Sequence, residues 1–283
     1  MRRLLFLVVM LSLVFYQFGT ARAADDDGLT YRSPYSVKLP WTALELIPDL
    51  LEGERGMVRN EAKIPAFDWY GHSHPWVGPW GPSPRAFQPP QLAQGKSDDW
   101  KRARVIATAL RFLGYHYRHH YIPDWDPPPG WYTPKPGGAR HDGKGVDCSN
   151  FTSFVYNQAL GIGFSSDIHK QAAIDAVTMH GSDQTLPVTL IPLQDSPEAW
   201  AKVLKPGDLL FIRPSSSETI SHVVLWIGQW GQPTGQPLIL DSHGADVRDA
   251  DGSLIPDGIH LRPFRPGSWY ATRADHAIRV IGD

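Results

Sequence analysis

Cysteine is almost absent from this chain: one residue of 283, Cys148, carries a thiol. No disulfide can form within the chain, and a thiol kept alone reads either as a reactive group or as a small buried hydrophobe. An excess of charge is missing as well. With 27 basic and 29 acidic side chains the net charge is −2, which supplies no field for nucleic acid or an anionic membrane surface, so neither is an expected partner. The apolar run from Leu4 to Phe18 stops short of the roughly 20 residues that span a bilayer. It follows Arg2 and Arg3 and leads into Thr20-Ala21-Arg22-Ala23, small residues at the positions a signal peptidase reads. Residues 1–23 are therefore predicted to be a secretory signal peptide rather than a membrane anchor. No cysteine lies near the cleavage site to carry a lipid. The mature chain is expected to be periplasmic or secreted and monomeric.

Proline and glycine are plentiful, at 26 each. They concentrate first in residues 24–96, as in Trp76-Val77-Gly78-Pro79-Trp80-Gly81-Pro82, a stretch with little sustained periodicity. Its aromatics argue against plain disorder, so it reads as an irregular Pro/Trp-rich arm wrapped onto a main domain of residues 97–283. Leu44 to Leu51 suits a short helical turn, limited by Pro48. Ser97-Asp98-Asp99 then supplies an N-cap and an acidic first turn for a helix whose apolar stripe runs through Val105, Ala109 and Leu110. A proline-rich loop runs from about Tyr121 to Lys144. Both its flanks lead to candidate site residues, so it is expected to border the cleft and restrict what enters. Phe151, Phe154 and Val155 fall on one face of a helix that begins at or just before Cys148 and is closed by Gly161 and Gly163. Ser166-Asp167 is placed to cap a helix through Ala176, and Ser196-Pro197-Glu198 a short one ending near Leu204. Asp208 to Ile212, His222 to Ile227, Leu238 to Asp241 and Ile259 to Leu261 read as antiparallel strands. Helices first and a sheet second is an α+β order.

A helix N-terminus at Cys148 presents free amides and the positive end of the dipole to the sulfur, which favours the nucleophilic thiolate. A cysteine nucleophile needs a base. Ser221-His222-Val223-Val224-Leu225-Trp226-Ile227-Gly228 offers a histidine at the start of an apolar strand, and the next strand ends in Leu240-Asp241-Ser242-His243-Gly244. His222 is the candidate base and His243 the candidate group that orients it.

These residues resemble the NlpC-type cysteine peptidases of bacterial cell walls. Gly145-Val146-Asp147-Cys148-Ser149 is similar to the family's nucleophile motif, and Leu204 to Phe211 to the lead-in of its first sheet strand. Ser221 to Gly228 looks like its histidine strand, and Asp241-Ser242-His243 like the site of its third polar residue. Gly114-Tyr115-His116-Tyr117 resembles the segment that carries a tyrosine near the oxyanion site. That points to Tyr117, with Tyr115 and Tyr121 as alternatives. Asn150 stands where the family most often has glycine, and the connection from Tyr117 to Cys148 is longer than usual. The resemblance implies a papain-like fold with N-terminal helices packed on an antiparallel sheet. It implies a Cys148–His222–His243 site, with Tyr117, Asp147, Ser149 and Ser221 at the oxyanion and substrate. The activity implied is hydrolysis of peptidoglycan stem peptides, typically between D-glutamate and a diamino acid.

No cofactor is expected. His72 and His74, or His116, His119 and His120, have no standard zinc spacing, so no metal is assigned. Asp249-Ala250-Asp251-Gly252-Ser253 starts like a calcium loop, but it lacks further liganding positions and reads as a polar turn. The competing readings are an amidase or acyltransferase of the same fold, and a non-catalytic cell-envelope binding protein.

Overall fold

The computed structural model describes residues 33–51, 86–114, 117, 146–215, 219–233, 235–244 and 246–282. The candidate signal peptide, the 121–144 loop, Tyr115, Tyr121 and the histidines at 72, 74, 116, 119 and 120 lie outside these residues.

Within the N-terminal arm, β1 (Ser36–Val37) precedes two short helices, α1 (Ala43–Leu46) and α2 (Pro48–Leu51). Pro48 separates them by opening the second, where its missing N–H would have had no helical partner anyway. The arm is therefore more regular here than its composition suggests. Arg104 latches it to the domain: its guanidinium meets both carboxylate oxygens of Asp49 at 2.8 and 2.7 Å, and its Nε donates to the Ala159 carbonyl at 2.6 Å.

Two helices of equal length, α3 (Asp98–Leu110) and α4 (Cys148–Leu160), start where the cap residues predict. The Ser97 hydroxyl accepts from the Trp100 amide, and Asp147 caps the cysteine helix. Gly161 ends α4 with φ of 70°. A Cβ there would also lie 2.4 Å from the Pro89 nitrogen, so both backbone and space demand glycine. After α4 come β2 (Ile162–Gly163), α5 (Ile168–Ala172), β3 (Ala176–Met179), β4 (Thr185–Pro187) and β5 (Thr189–Ile191). Asp167 caps α5 as expected, but the helix stops at Ala172 rather than Ala176. Val177 and Thr178 are β-branched and join a small antiparallel sheet of order β2-β3-β4.

The chain continues through α6 (Pro197–Val203), β6 (Leu209–Ile212), β7 (His222–Gly228), β8 (Gly231–Gln232), β9 (Leu238–His243) and β10 (Gly258–Pro263), then α7 (Trp269–Arg273) and β11 (Ala274–Arg279). Six strands form one antiparallel sheet in the order β10-β9-β7-β6-β11-β5. The fold is α+β with antiparallel sheets. Phe151, Phe154 and Val155 of α4 pack with Phe211, Val223, Leu225 and Leu240 in one core. On the opposite face, Trp200, Phe264 and Tyr270 pack with Leu210, Val224, Trp226 and Ile239. Because both faces are covered, β7 is buried along its whole length, which is why it reads as a continuous apolar run rather than an alternation. Truncating Phe151 or Phe154 to Ala would cost about 3–5 kcal/mol, the range for large core aromatics.

Candidate active site

Asp147, the N-cap of α4, turns its carboxylate onto the helix. One oxygen accepts from the Asn150 amide at 2.8 Å and lies 3.3 Å from the Ser149 hydroxyl; the other accepts from the Asn150 side chain at 3.0 Å. Asn150, the residue that departs from the resembled motif, thus doubles the cap. Asp147 and Ser149, expected at the substrate, serve this turn. The same turn is pinned from outside. Gln171, fully buried, donates to the carbonyls of Ser149 at 3.2 Å and Ser165 at 2.9 Å, and the Ser242 hydroxyl on β9 donates to the Val146 carbonyl.

Cys148 is the first residue of α4 and is 5% exposed. Burial pushes its thiol pKa well up, the Asp147 carboxylate and Asp241 push the same way, and the amides of Val223 and Ser149 only partly oppose them. The expectation that the helix terminus favours thiolate is reversed here. Desolvation of a buried anion outweighs partial charges on two amides. The sulfur faces the Val223 amide, at the start of the strand that carries His222.

His222 opens β7, 7% exposed, and its Nε2 lies 2.7 Å from Asp241 Oδ2. Asp241 is completely buried. Burial would raise its pKa, but the Arg262 guanidinium and the His222 hydrogen bond outweigh it and hold the carboxyl well below the usual range. Arg262 Nε donates to Oδ1 at 2.6 Å, and the Tyr270 hydroxyl donates to Oδ2 at 2.9 Å. An ionised carboxylate only accepts, so Nε2 of His222 carries the hydrogen and Nδ1 is left as the basic nitrogen.

His243 does not hold His222, contrary to the sequence expectation. Its Nδ1 pairs with the Gly244 carbonyl at 2.8 Å, and its buried Nε2 has no hydrogen-bond partner among the described residues. The two imidazoles lie 4.9 Å apart, tilted, with Trp269 and Tyr270 against both rings. Burial lowers the His243 pKa to about 4, with His222 adding in the same direction, so the ring is neutral. Tyr117 comes to the site: its ring would lie 3.5 Å from a Cβ on Gly244, and burial, then Asp147 and Cys148, raise its pKa. Ser221 is exposed, and its amide pairs with the Ile212 carbonyl.

Asp241 stands inside the Asp-Ser-His string, but the motif alone favours the histidine of that string over the aspartate. Arg262 and Tyr270 carry a weaker sequence signal. Arg262 is a charge set between Leu261 and Pro263 in a mostly apolar strand, which calls for a buried partner. Ligand atoms of His222, Asp241 and His243 lie within 4.8 Å of one another, the spacing of a metal cluster. Both oxygens of Asp241 are already taken by donors, and a cation there would face the Arg262 guanidinium. The chemistry of this donor set suits a hydrogen-bonded network.

The architecture and these groups define an α+β protein that brings a buried thiol and a histidine–carboxylate pair to one sheet. Residues 135–251 match the model of the NlpC/P60 family, which includes cell-wall peptidases and whose members are typically cysteine peptidases. The resemblance read from the motifs is thereby borne out. No curated protein matches the chain. Among solved structures, the chain is similar to an NlpC/P60 family protein from Bacillus cereus, at 19% identity over 64% of this chain and 40% of that one, with a TM-score of 0.36. It is also similar to NlpC2 from Trichomonas vaginalis, at 15% identity over 67% of this chain and 49% of that one, with a TM-score of 0.34. The match thus spans less than half the length of either structure.

Proposed function

We propose that this chain is an exported, papain-like cysteine peptidase that hydrolyses an amide bond of peptidoglycan stem peptides, between D-glutamate and a diamino acid. The observation that carries the reading is the His222–Asp241 pair, 2.7 Å apart and buried beside the strand start that faces Cys148, all within the region matching the family.

In this reading His222 Nδ1 takes the Cys148 proton as the sulfur attacks the scissile carbonyl carbon. The raised thiol pKa makes deprotonation by His222 part of the attack rather than a preformed ion pair. A small turn of the cysteine or imidazole on substrate binding brings the two together, as catalytic hydrogen bonds commonly tighten only in the complex. The tetrahedral oxyanion accepts from the Cys148 backbone N–H and the Tyr117 hydroxyl. The imidazolium, stabilised by Asp241, protonates the leaving amine. Water activated by His222 then cleaves the thioester and releases the acid. The candidate signal peptide supports a site of action in the envelope or outside the cell.

The test is digestion of purified peptidoglycan with the mature protein and mass spectrometry of the released fragments. Cleavage of the D-glutamyl bond, lost in Cys148→Ala, is expected. Fragments cut elsewhere in the polymer would replace the substrate assignment. No Cys148-dependent cleavage of any amide would remove the peptidase reading.

A further inference from the structure

Cysteine–histidine chemistry at this site needs Asp241 ionised and held in one orientation. A carboxylate buried to this degree is driven toward its neutral form unless something compensates it. Two groups outside the matched region do so. Arg262, on the neighbouring strand β10, donates from Nε to Oδ1 at 2.6 Å, and Tyr270, on α7, donates to Oδ2 at 2.9 Å. Arg262 is itself fixed, because its Nη2 donates to the carbonyls of Pro256 at 2.8 Å and Gly258 at 3.0 Å.

Building on the cysteine-peptidase reading, we propose that Arg262 is a positioning residue of the site, assisted by Tyr270: it occupies Oδ1 and keeps Asp241 ionised, so that Oδ2 alone meets His222 and Nδ1 is left as the base. The charged and titratable groups around Asp241 come from every packed element. His222 lies on β7, His243 two residues further along β9, Arg262 on β10 and Tyr270 on α7. Asp257 acts on Arg262 and Asp249 on Tyr270, while Cys148 faces the group from the start of α4, with the capping Asp147 acting on the thiol. Of the groups bonded to the carboxylate, Arg262 is the permanent cation. Without it the ionised Asp241 is offset by one positive charge fewer, so the His222 imidazolium is held more tightly and must lose its proton at a higher pH before Nδ1 can act as base. The acid limb of reactivity then moves up. A purely structural arginine would lower stability and leave the limb where it was.

The test is the pH dependence of Cys148 alkylation by iodoacetamide, which needs no knowledge of the substrate. It is measured on the mature protein and on Arg262→Met, Arg262→Lys, Tyr270→Phe and His222→Ala variants whose folding is checked by circular dichroism. In Arg262→Met the acid limb is expected to rise by roughly one pH unit or more, the effect of removing a charge at this range. Arg262→Lys should recover part of that shift, and Tyr270→Phe should show a smaller one in the same direction. Should Arg262→Met fail to fold, the Lys and Phe variants decide, and an unmoved limb in both overturns the proposal. A His222→Ala profile identical to the parent's would overturn the cysteine–histidine reading and this inference with it. A changed His222→Ala profile beside unmoved Arg262 and Tyr270 variants would overturn the inference alone.

Discussion

Asp241 and His243 stand two residues apart on β9, and only Asp241 hydrogen-bonds the imidazole of His222, at 2.7 Å. His243 turns its Nδ1 to the carbonyl of Gly244 instead. The two residues separate in a mutational comparison. Asp241→Asn is expected to lower kcat/KM on a stem-peptide substrate by on the order of 10⁴-fold, the loss seen when a catalytic histidine is held in the wrong tautomer. His243→Asn should stay within about tenfold of the parent, since it breaks no hydrogen bond to His222. Equal losses in the two variants would return the orienting role to His243.

In the proposed mechanism Cys148→Ala removes the nucleophile and little volume. Hydrolysis should vanish while the melting temperature and the circular dichroism spectrum stay close to the parent's. His222→Ala should be nearly as damaging, and the double variant little worse than either, because nucleophile and base act as one unit. Turnover comparable to the parent in Cys148→Ala would end the cysteine-peptidase reading.

Acid should destabilise the protein in two separable windows. The folded-state pKa of His243 is lowered from 6.5 to about 4, so between those values the unfolded chain binds a proton that the native protein does not, and stability falls as pH drops through the window. His180, also lowered by burial, acts in the same sense. Asp241 is depressed below its ordinary 3.8, so its contribution is complete above that value and is lost only as pH falls further. Melting temperatures measured against pH should therefore fall less between 6.5 and 4 in His243→Asn than in the parent, with the lower window unchanged. Parallel curves would show that His243 is not buried neutral in solution.

Asp208 lies fully buried between two buried arginines, with Arg102 Nη1 at 3.2 Å and Arg279 Nη2 at 2.8 Å, and it also accepts from the Lys205 amide at 2.8 Å. Asp208→Asn leaves two guanidinium groups facing a neutral amide. A loss of about 3–5 kcal/mol is expected, since breaking a buried ion pair strands the remaining charge. Denaturant unfolding reads the loss directly. A change below about 1 kcal/mol would show that water or neighbouring carbonyls can carry both arginines.

Much of this architecture is local and can be read from the chain. The caps at Ser97, Asp147, Asp167 and Ser196 mark helix starts because a side-chain oxygen satisfies amides within the next turn, an interaction confined to four residues. The four apolar strands around Cys148 and His222 are legible because their pattern is set by burial on both sides of one sheet. β11 escapes, although it lies between β6 and β5 in that sheet. Its Asp275, His276 and Arg279 make it look polar; Asp275 and His276 pair with each other, and the remaining partners, Arg213, the Ala172 carbonyl and Asp208, lie in distant segments.

The site divides along the same line. The sequence by itself pointed to Cys148 and His222 as the candidate nucleophile and base, because each sits at the start of a regular element whose beginning is locally encoded. It favoured His243 over Asp241, although a period of two places both on one face of the strand. The tertiary structure decided that choice. It did so through Arg262 from the adjacent strand and Tyr270 from a later helix, two donors that make Asp241 the stable place for a buried negative charge and leave His243 neutral beside it.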